Sequence, residues 1–186
     1  MIISVFGGSA PKVGEPAYEE ARTLGFALGS AGHALLTGGY IGVMEAVSRG
    51  GQEAKARVIG ATCGQLEKSH LVRTANPYLS EEWHFDTLQE RLFALVERCD
   101  AAIAMPGGVG TMAEISIMWN EIIIAAIPRR PLILFGNDWK NTYTEFIDRF
   151  NPYIAPQDRD IVSYAEDIPS VLKIINTVAQ NKLSGS

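Results

Sequence analysis

Apolar positions along the chain follow two alternating rhythms. Short runs of aliphatic and β-branched residues, "IISVF", "HALLT", "RVIGAT", "AAIAM" and "PLILF", punctuate longer stretches in which apolar residues recur at helical spacing. The helical stretches are residues 16 to 31, 42 to 54, 86 to 98, 111 to 126 and 141 to 150. This alternation predicts βαβ units and an α/β fold, a parallel sheet flanked by helices on both faces. Pro16 suits the first position of the first helix, and Pro128 is placed to end the long one. "IVSY" reads as a last strand or loop, and residues 166 to 181 as a closing helix. Residues 64 to 85, with "TANPYLSEEWHFD", break both rhythms and read as a loop bordering a site. Without repeat or linker, residues 1–183 are expected to form a single domain, with 184–186 a flexible tail.

Composition narrows the partners. With 186 residues, 47% of them hydrophobic, the chain can bury a core without staples. A net charge of -5 and no basic stripe argue against nucleic acid. No apolar run approaches the ~20 residues that span a bilayer, so no membrane partner is expected. Cys63 and Cys99 are too few for a disulfide framework, which suits a reducing cytoplasm. His33, His70 and His84 lack zinc spacing, so neither metal nor cofactor is expected.

The chemistry concentrates where strand-like runs lead through glycines into helices. This happens in "VFGGSAP" (Gly7, Gly8, Ser9), "LLTGGYIGVM" (Gly38, Gly39, Gly42) and "AMPGGVGT" (Pro106, Gly107, Gly108, Gly110, Thr111). In a parallel sheet all three turns lie at the carboxyl edge, where open α/β folds bind ligands. Glycine admits close approach of backbone to ligand, and helix N-termini favour an anion. Converging, the turns point to a nucleotide or sugar phosphate; singly, each is a tight connection. No glycine is followed by lysine, which excludes a Walker A loop. Gly108, Gly110 and Ala113 satisfy G-x-G-x-x-A, and Asp138 follows the next strand, a weak mimic of the dinucleotide fingerprint.

Two readings of Glu114 stay open. Thr111-x-x-Glu114 has the form of a capping box; alternatively, a carboxylate beside a phosphate loop can hold ribose hydroxyls, place a water or stabilise an oxocarbenium-like transition state. Arg91 borders the apolar face of Leu88, Leu92 and Leu95 without an acidic helical neighbour. It is a snorkelling surface arginine or finds a partner elsewhere. Trp83, His84 and Phe85, with Tyr78, are either a stacking lid or local core. Arg129 and Arg130 fall on the opposite edge from the glycine turns and are expected to cap a helix C-terminus. "ISIMWNEIIIAAI" is apolar nearly all round, which predicts burial on more than one side at a homodimer interface.

"PGGVGTMAE" (Pro106 to Glu114) resembles the P-G-G-x-G-T-x-x-E motif of the LONELY GUY family, also called possible lysine decarboxylases. "TGGYIGVM" is similar to that family's G-G-x-x-G-x-M segment, "FGGS" to its first glycine-serine turn, and Arg91 stands at its motif arginine. The resemblance implies a modified Rossmann fold, usually homodimeric, and a phosphoribohydrolase that cleaves a cytokinin nucleoside 5'-monophosphate, or AMP, into free base and ribose 5-phosphate. It implies Glu114 and Arg91 as the catalytic pair, phosphate on Gly107, Gly108, Gly110 and Thr111, and Met44 at the base. The chain departs from the pattern at Ala113, where the family often has a second acid, and at Leu92, where lysine usually follows the arginine. Relatives of this fold include molybdenum-cofactor carriers and nucleotide sensors, the alternative reading. Lysine decarboxylation is rejected on chemistry, because no lysine stands in the Ser-x-His-Lys setting expected of a pyridoxal phosphate Schiff base.

Overall fold

The computed structural model describes residues 1–69 and 74–184. His70 and residues 185 and 186 of the expected tail lie outside them. Seven strands, β1 (Ile2–Phe6), β2 (Ala34–Thr37), β3 (Val58–Cys63), β4 (Glu81–Phe85), β5 (Ala101–Ala104), β6 (Leu132–Phe135) and β7 (Val162–Ala165), pair in the order β4-β3-β2-β1-β5-β6-β7. Every pairing is parallel, and β1 lies at the centre, with Ile3 opposite Leu35 on one side and Ala101 on the other. The fold is the α/β, Rossmann-like arrangement that the alternation predicts.

Two apolar layers cover the sheet. On one face α1 (Pro16–Ser30), α2 (Val43–Glu53) and α8 (Ile168–Ser184) bury Leu24, Leu28, Val47, Val171 and Ile175 against Ile3, Val5 and Leu35. On the other, α4 (Leu88–Glu97), α5 (Val109–Ile123) and α6 (Asn137–Arg149) bury Leu95, Ile115, Met118 and Trp139 against Phe6, Leu36 and Ile59. Two short helices, α3 (Gly64–Lys68) and α7 (Pro156–Arg159), and a 3-10 turn at Asn151–Tyr153 fill the connections.

The structure corrects two boundaries. β4 crosses the stretch expected to be irregular; it is an edge strand in which only Glu81, Trp83 and Phe85 are half-buried, and its acidic start hides the alternation. α5 stops at Ile123, ahead of Pro128. Ala125 there adopts a left-handed φ of 55°, while Ala126 N–H bonds the Glu121 carbonyl and Ala125 N–H the Ile122 carbonyl. That pair of bonds is a Schellman ending, built without the usual glycine. Arg130 hydrogen-bonds the carbonyl of Glu97 at the end of α4, the C-terminal role expected of it.

α1 and α2 approach so closely that glycines line their contact. A Cβ on Gly25 would strike the Val47 carbonyl, and one on Gly50 the Arg22 carbonyl. Gly50→Ala is therefore expected to destabilise by about 1–3 kcal/mol, the usual cost of overpacking, because rigid backbone rather than a movable side chain is in the way. Urea denaturation with an unchanged midpoint would contradict this.

Candidate functional site

Strand order reverses between β1 and β5, and the turns after β1, β2 and β5 meet at that point of the carboxyl edge. Gly8 joins them: its N–H donates to the Pro106 carbonyl at 3.1 Å, and its carbonyl accepts the Val43 N–H at 2.9 Å. Gly42, with φ 73°, packs on the Gly8 carbonyl, where any side chain would collide. Gly107 packs between Thr111 and the Gly8 nitrogen under the same restriction. From behind, the Trp139 indole N–H donates to the Met105 carbonyl at 3.0 Å and anchors the end of β5.

Above the joined turns lies a cavity of about 460 Å³. Gly7, Gly8, Ser9, Gly108, Gly110 and Thr111 form one wall. Gly108 is the N-cap of α5 in extended conformation and offers no capping side chain. The first helical bond runs from Met112 N–H to the Gly108 carbonyl, so the N–H groups of Val109, Gly110 and Thr111 precede the ladder. Such a helix start attracts an anion.

Ile41, Met44, Leu66 and Leu88 supply an apolar wall. Arg91 and Glu114 are its charged residues. Arg91 is only 7% exposed, so the surface reading does not hold. Its Nε donates to the Ala61 carbonyl at 2.7 Å and a terminal nitrogen to the Gly38 carbonyl at 3.0 Å. The same nitrogen lies 3.7 Å from Met44 Sδ, and the guanidinium sits 5.5 Å from the centre of the Tyr40 ring. A Cβ at Gly38 would take the place of the guanidinium, so glycine leaves room for Arg91. These bonds go to carbonyls, and among the described residues no carboxylate forms a salt bridge with Arg91, which favours an anion in the cavity.

Glu114 does not cap α5. The helix begins five residues earlier, so Thr111 and Glu114 stand inside it, and the capping box in this chain is formed instead by Thr87 and Glu90 at the start of α4. With that explanation removed, Glu114 is a carboxyl facing the cavity. Burial pushes its pKa up to about 7, against the opposing pull of Arg91. A carboxyl divided between its two protonation states near neutral pH suits chemistry better than structure.

The expected residues divide into two groups. Gly7, Gly8, Ser9, Met44, Arg91, Gly108, Gly110, Thr111 and Glu114 line the cavity. Gly38, Gly39, Gly42, Pro106 and Gly107 support it from behind: Gly39, for example, adopts φ 78° and accepts the Asn76 N–H. Asp138 takes no part in the lining, and neither do Tyr78, Trp83, His84 and Phe85, so the lid is not formed. Trp83 and Phe85 join the core beneath α4, where Arg98 covers both rings, and Tyr78 lies against Arg49. Sequence reasoning passed over Tyr40, Ile41, Leu66, Leu88 and Val109. Ile41 and Val109 did carry a signal, as large apolar residues inside glycine turns that remain 48% and 85% exposed. Among the described residues, no group of three or more His, Cys, Asp or Glu side chains could hold a metal, and no helix is long and apolar enough to cross a membrane.

A family model described as the SLOG cluster4 family matches residues 1–152. A cytokinin riboside 5'-monophosphate phosphoribohydrolase of Mycobacterium tuberculosis is 31% identical over 122 residues, covering 64% of this chain and 62% of that protein. The protein of the same name in Arabidopsis thaliana is 28% identical over 183 residues, covering 95% of this chain and 82% of its own. The molybdenum cofactor binding protein of Rippkaea orientalis shares the fold, with a TM-score of 0.74 at 23% identity over 96% of each chain.

The raised carboxyl has a thermodynamic signature. The folded state holds the Glu114 proton more tightly than the unfolded chain does, so this group's contribution to stability is complete below the ordinary glutamate range and is lost as pH rises through about 7. Glu114→Gln should therefore melt above wild type at alkaline pH, with the gain shrinking in mild acid. A gain independent of pH would show that Glu114 is not held in its protonated form.

Proposed function

This chain belongs to the SLOG cluster4 family, and on that premise we propose that it hydrolyses the N-glycosidic bond of a purine or cytokinin nucleoside 5'-monophosphate. The observation that carries the reading is the placing of three chemistries around one cavity: anion-binding N–H groups at Gly108 to Thr111, the Glu114 carboxyl one turn further along the same helix, and an apolar wall opposite. The phosphate would sit on the start of α5, the ribose beside Glu114 and the base against Met44, Leu66 and Leu88. In the reaction the C1'–N bond breaks, the hydroxyl of water joins C1', and the water's remaining proton ends on the base. Ionised Glu114 stabilises the positive charge that develops on the sugar and holds its hydroxyls. Arg91 orients the anion and offsets its charge. Similarity to proteins named as cytokinin riboside 5'-monophosphate phosphoribohydrolases supports this reading.

A carrier or sensor of a phosphorylated cofactor or nucleotide is the second reading, favoured by the shared fold of the molybdenum cofactor binding protein. It keeps the glycine turns and asks no chemistry of Glu114. Incubation with AMP, other nucleoside monophosphates and isopentenyladenosine monophosphate, followed by chromatography of free base and ribose 5-phosphate, separates the two. Release that Glu114→Ala abolishes while its melting temperature stays near wild type is expected. No release from folded protein that these nucleotides still stabilise against heat would favour the carrier or sensor.

The second proposal concerns assembly. Between α5 and α6 lies an apolar groove of about 480 Å³ with Met112, Trp119, Ile123 and Phe146 in its walls. Ile123, Ile124, Phe146 and Phe150 are each more than 40% exposed, at 41%, 60%, 44% and 48%. The implied homodimer would cover this face with a second copy. Light scattering should give twice the chain mass at micromolar concentration and a single mass for Phe146→Asp; a monomeric wild type would refute the dimer.

A further inference from the structure

We propose that Tyr40 is a positioning residue, whose ring supports the Arg91 guanidinium and whose hydroxyl locks that ring against the turn after β3. The inference rests on the hydrolase reading for its kinetic consequence, but its structural claim stands apart from it.

Tyr40 is 1% exposed although it lies in the cavity wall, so it acts through its neighbour rather than on a ligand. The guanidinium lies 5.5 Å from its ring centre, within the range of a cation–π contact. Both ends of the tyrosine are engaged. The hydroxyl accepts the Cys63 N–H at 2.7 Å, and its own proton has two acceptors at 3.2 Å, the Cys63 carbonyl and Glu67 Oε1. Burial pushes the phenol up to about 12, so it remains a donor at neutral pH. The Tyr40 carbonyl meanwhile accepts from the Asn76 side chain at 3.1 Å.

The arginine depends on this support more than most would. Its hydrogen bonds to oxygen go to carbonyls within β3 and in the turn after β2, which hold one edge of the guanidinium plane and leave its tilt to what lies on its flat faces. A ring against the flat face restricts that tilt. Tyr40 precedes the Gly42 start of α2, and its hydroxyl reaches the N-cap residue of α3, so one side chain joins the turn after β2 to the start of the helix carrying Leu66.

Tyr40→Phe keeps the ring and removes the lock; Tyr40→Leu removes both. Two measurements on each are needed. The first is the Glu114 titration midpoint by carboxyl-carbon NMR, which responds to the Arg91 charge as well as to burial and needs no turnover. The second is kcat and KM for AMP. Displacing Arg91 weakens its pull on Glu114, so the midpoint should rise from wild type to Phe to Leu. In the same order kcat should fall, by about tenfold to a hundredfold for Leu, the loss a misplaced orienting group causes, with KM changed far less. A Phe variant indistinguishable from wild type, a folded Leu variant with the wild-type midpoint, or equal losses in kcat and in affinity would overturn the proposal. Should Leu fail to fold, the Phe midpoint alone decides. If wild type cleaves none of the nucleotides, the hydrolase reading fails, while the midpoints still decide the role of Tyr40.

Discussion

The site depends on the peptide groups flanking one glycine. Gly8 gives its N–H to the turn after β5 and its carbonyl to the start of α2, so three turns from three separate βα units are held as one surface. The spacing is enforced by sterics as well as hydrogen bonds. Gly42 and Gly107 pack onto the same residue so closely that a single methyl group would part the turns. Close packing of backbone against backbone leaves rigid walls, and a rigid wall is what makes exposed N–H groups an effective anion site.

On that frame the two charges are placed asymmetrically. Arg91 is buried among carbonyl dipoles and an aromatic face, none of which cancels its charge. Glu114 stands on the neighbouring helix, where loss of water favours its proton. A negative charge between them would offset Arg91 and at the same time strengthen the hold of Glu114 on its proton.

Much of this was readable in the chain. Helical and strand rhythms located five of the seven strands and the two-layered cover, and left the seventh open between strand and loop, because core-facing periodicity leaves a direct imprint on sequence. β4 escaped because an edge strand needs only one apolar face, and the Glu81 and Glu82 that open it read as loop. Glu114 was ambiguous because a capping box and a catalytic carboxylate share one spacing; only the true start of α5, at Val109, separates them. Arg91 stayed open between the surface and a distant partner because its partners are carbonyls of β3 and of the turn after β2, and backbone groups carry no sequence signature. The apolar wall had the faintest trace, since Leu66 and Leu88 come together only through tertiary structure.

The stitching at Gly8 also sets when the site can exist. β1 finds its β2 neighbour early in the chain, but its other side waits for β5, where Ile3 meets Ala101. A nascent chain that has not yet released α5 has a half-sheet and an exposed flank along β1, with neither anion cradle nor carboxyl. The cavity is therefore completed only late in synthesis, when the two halves of the sheet have closed.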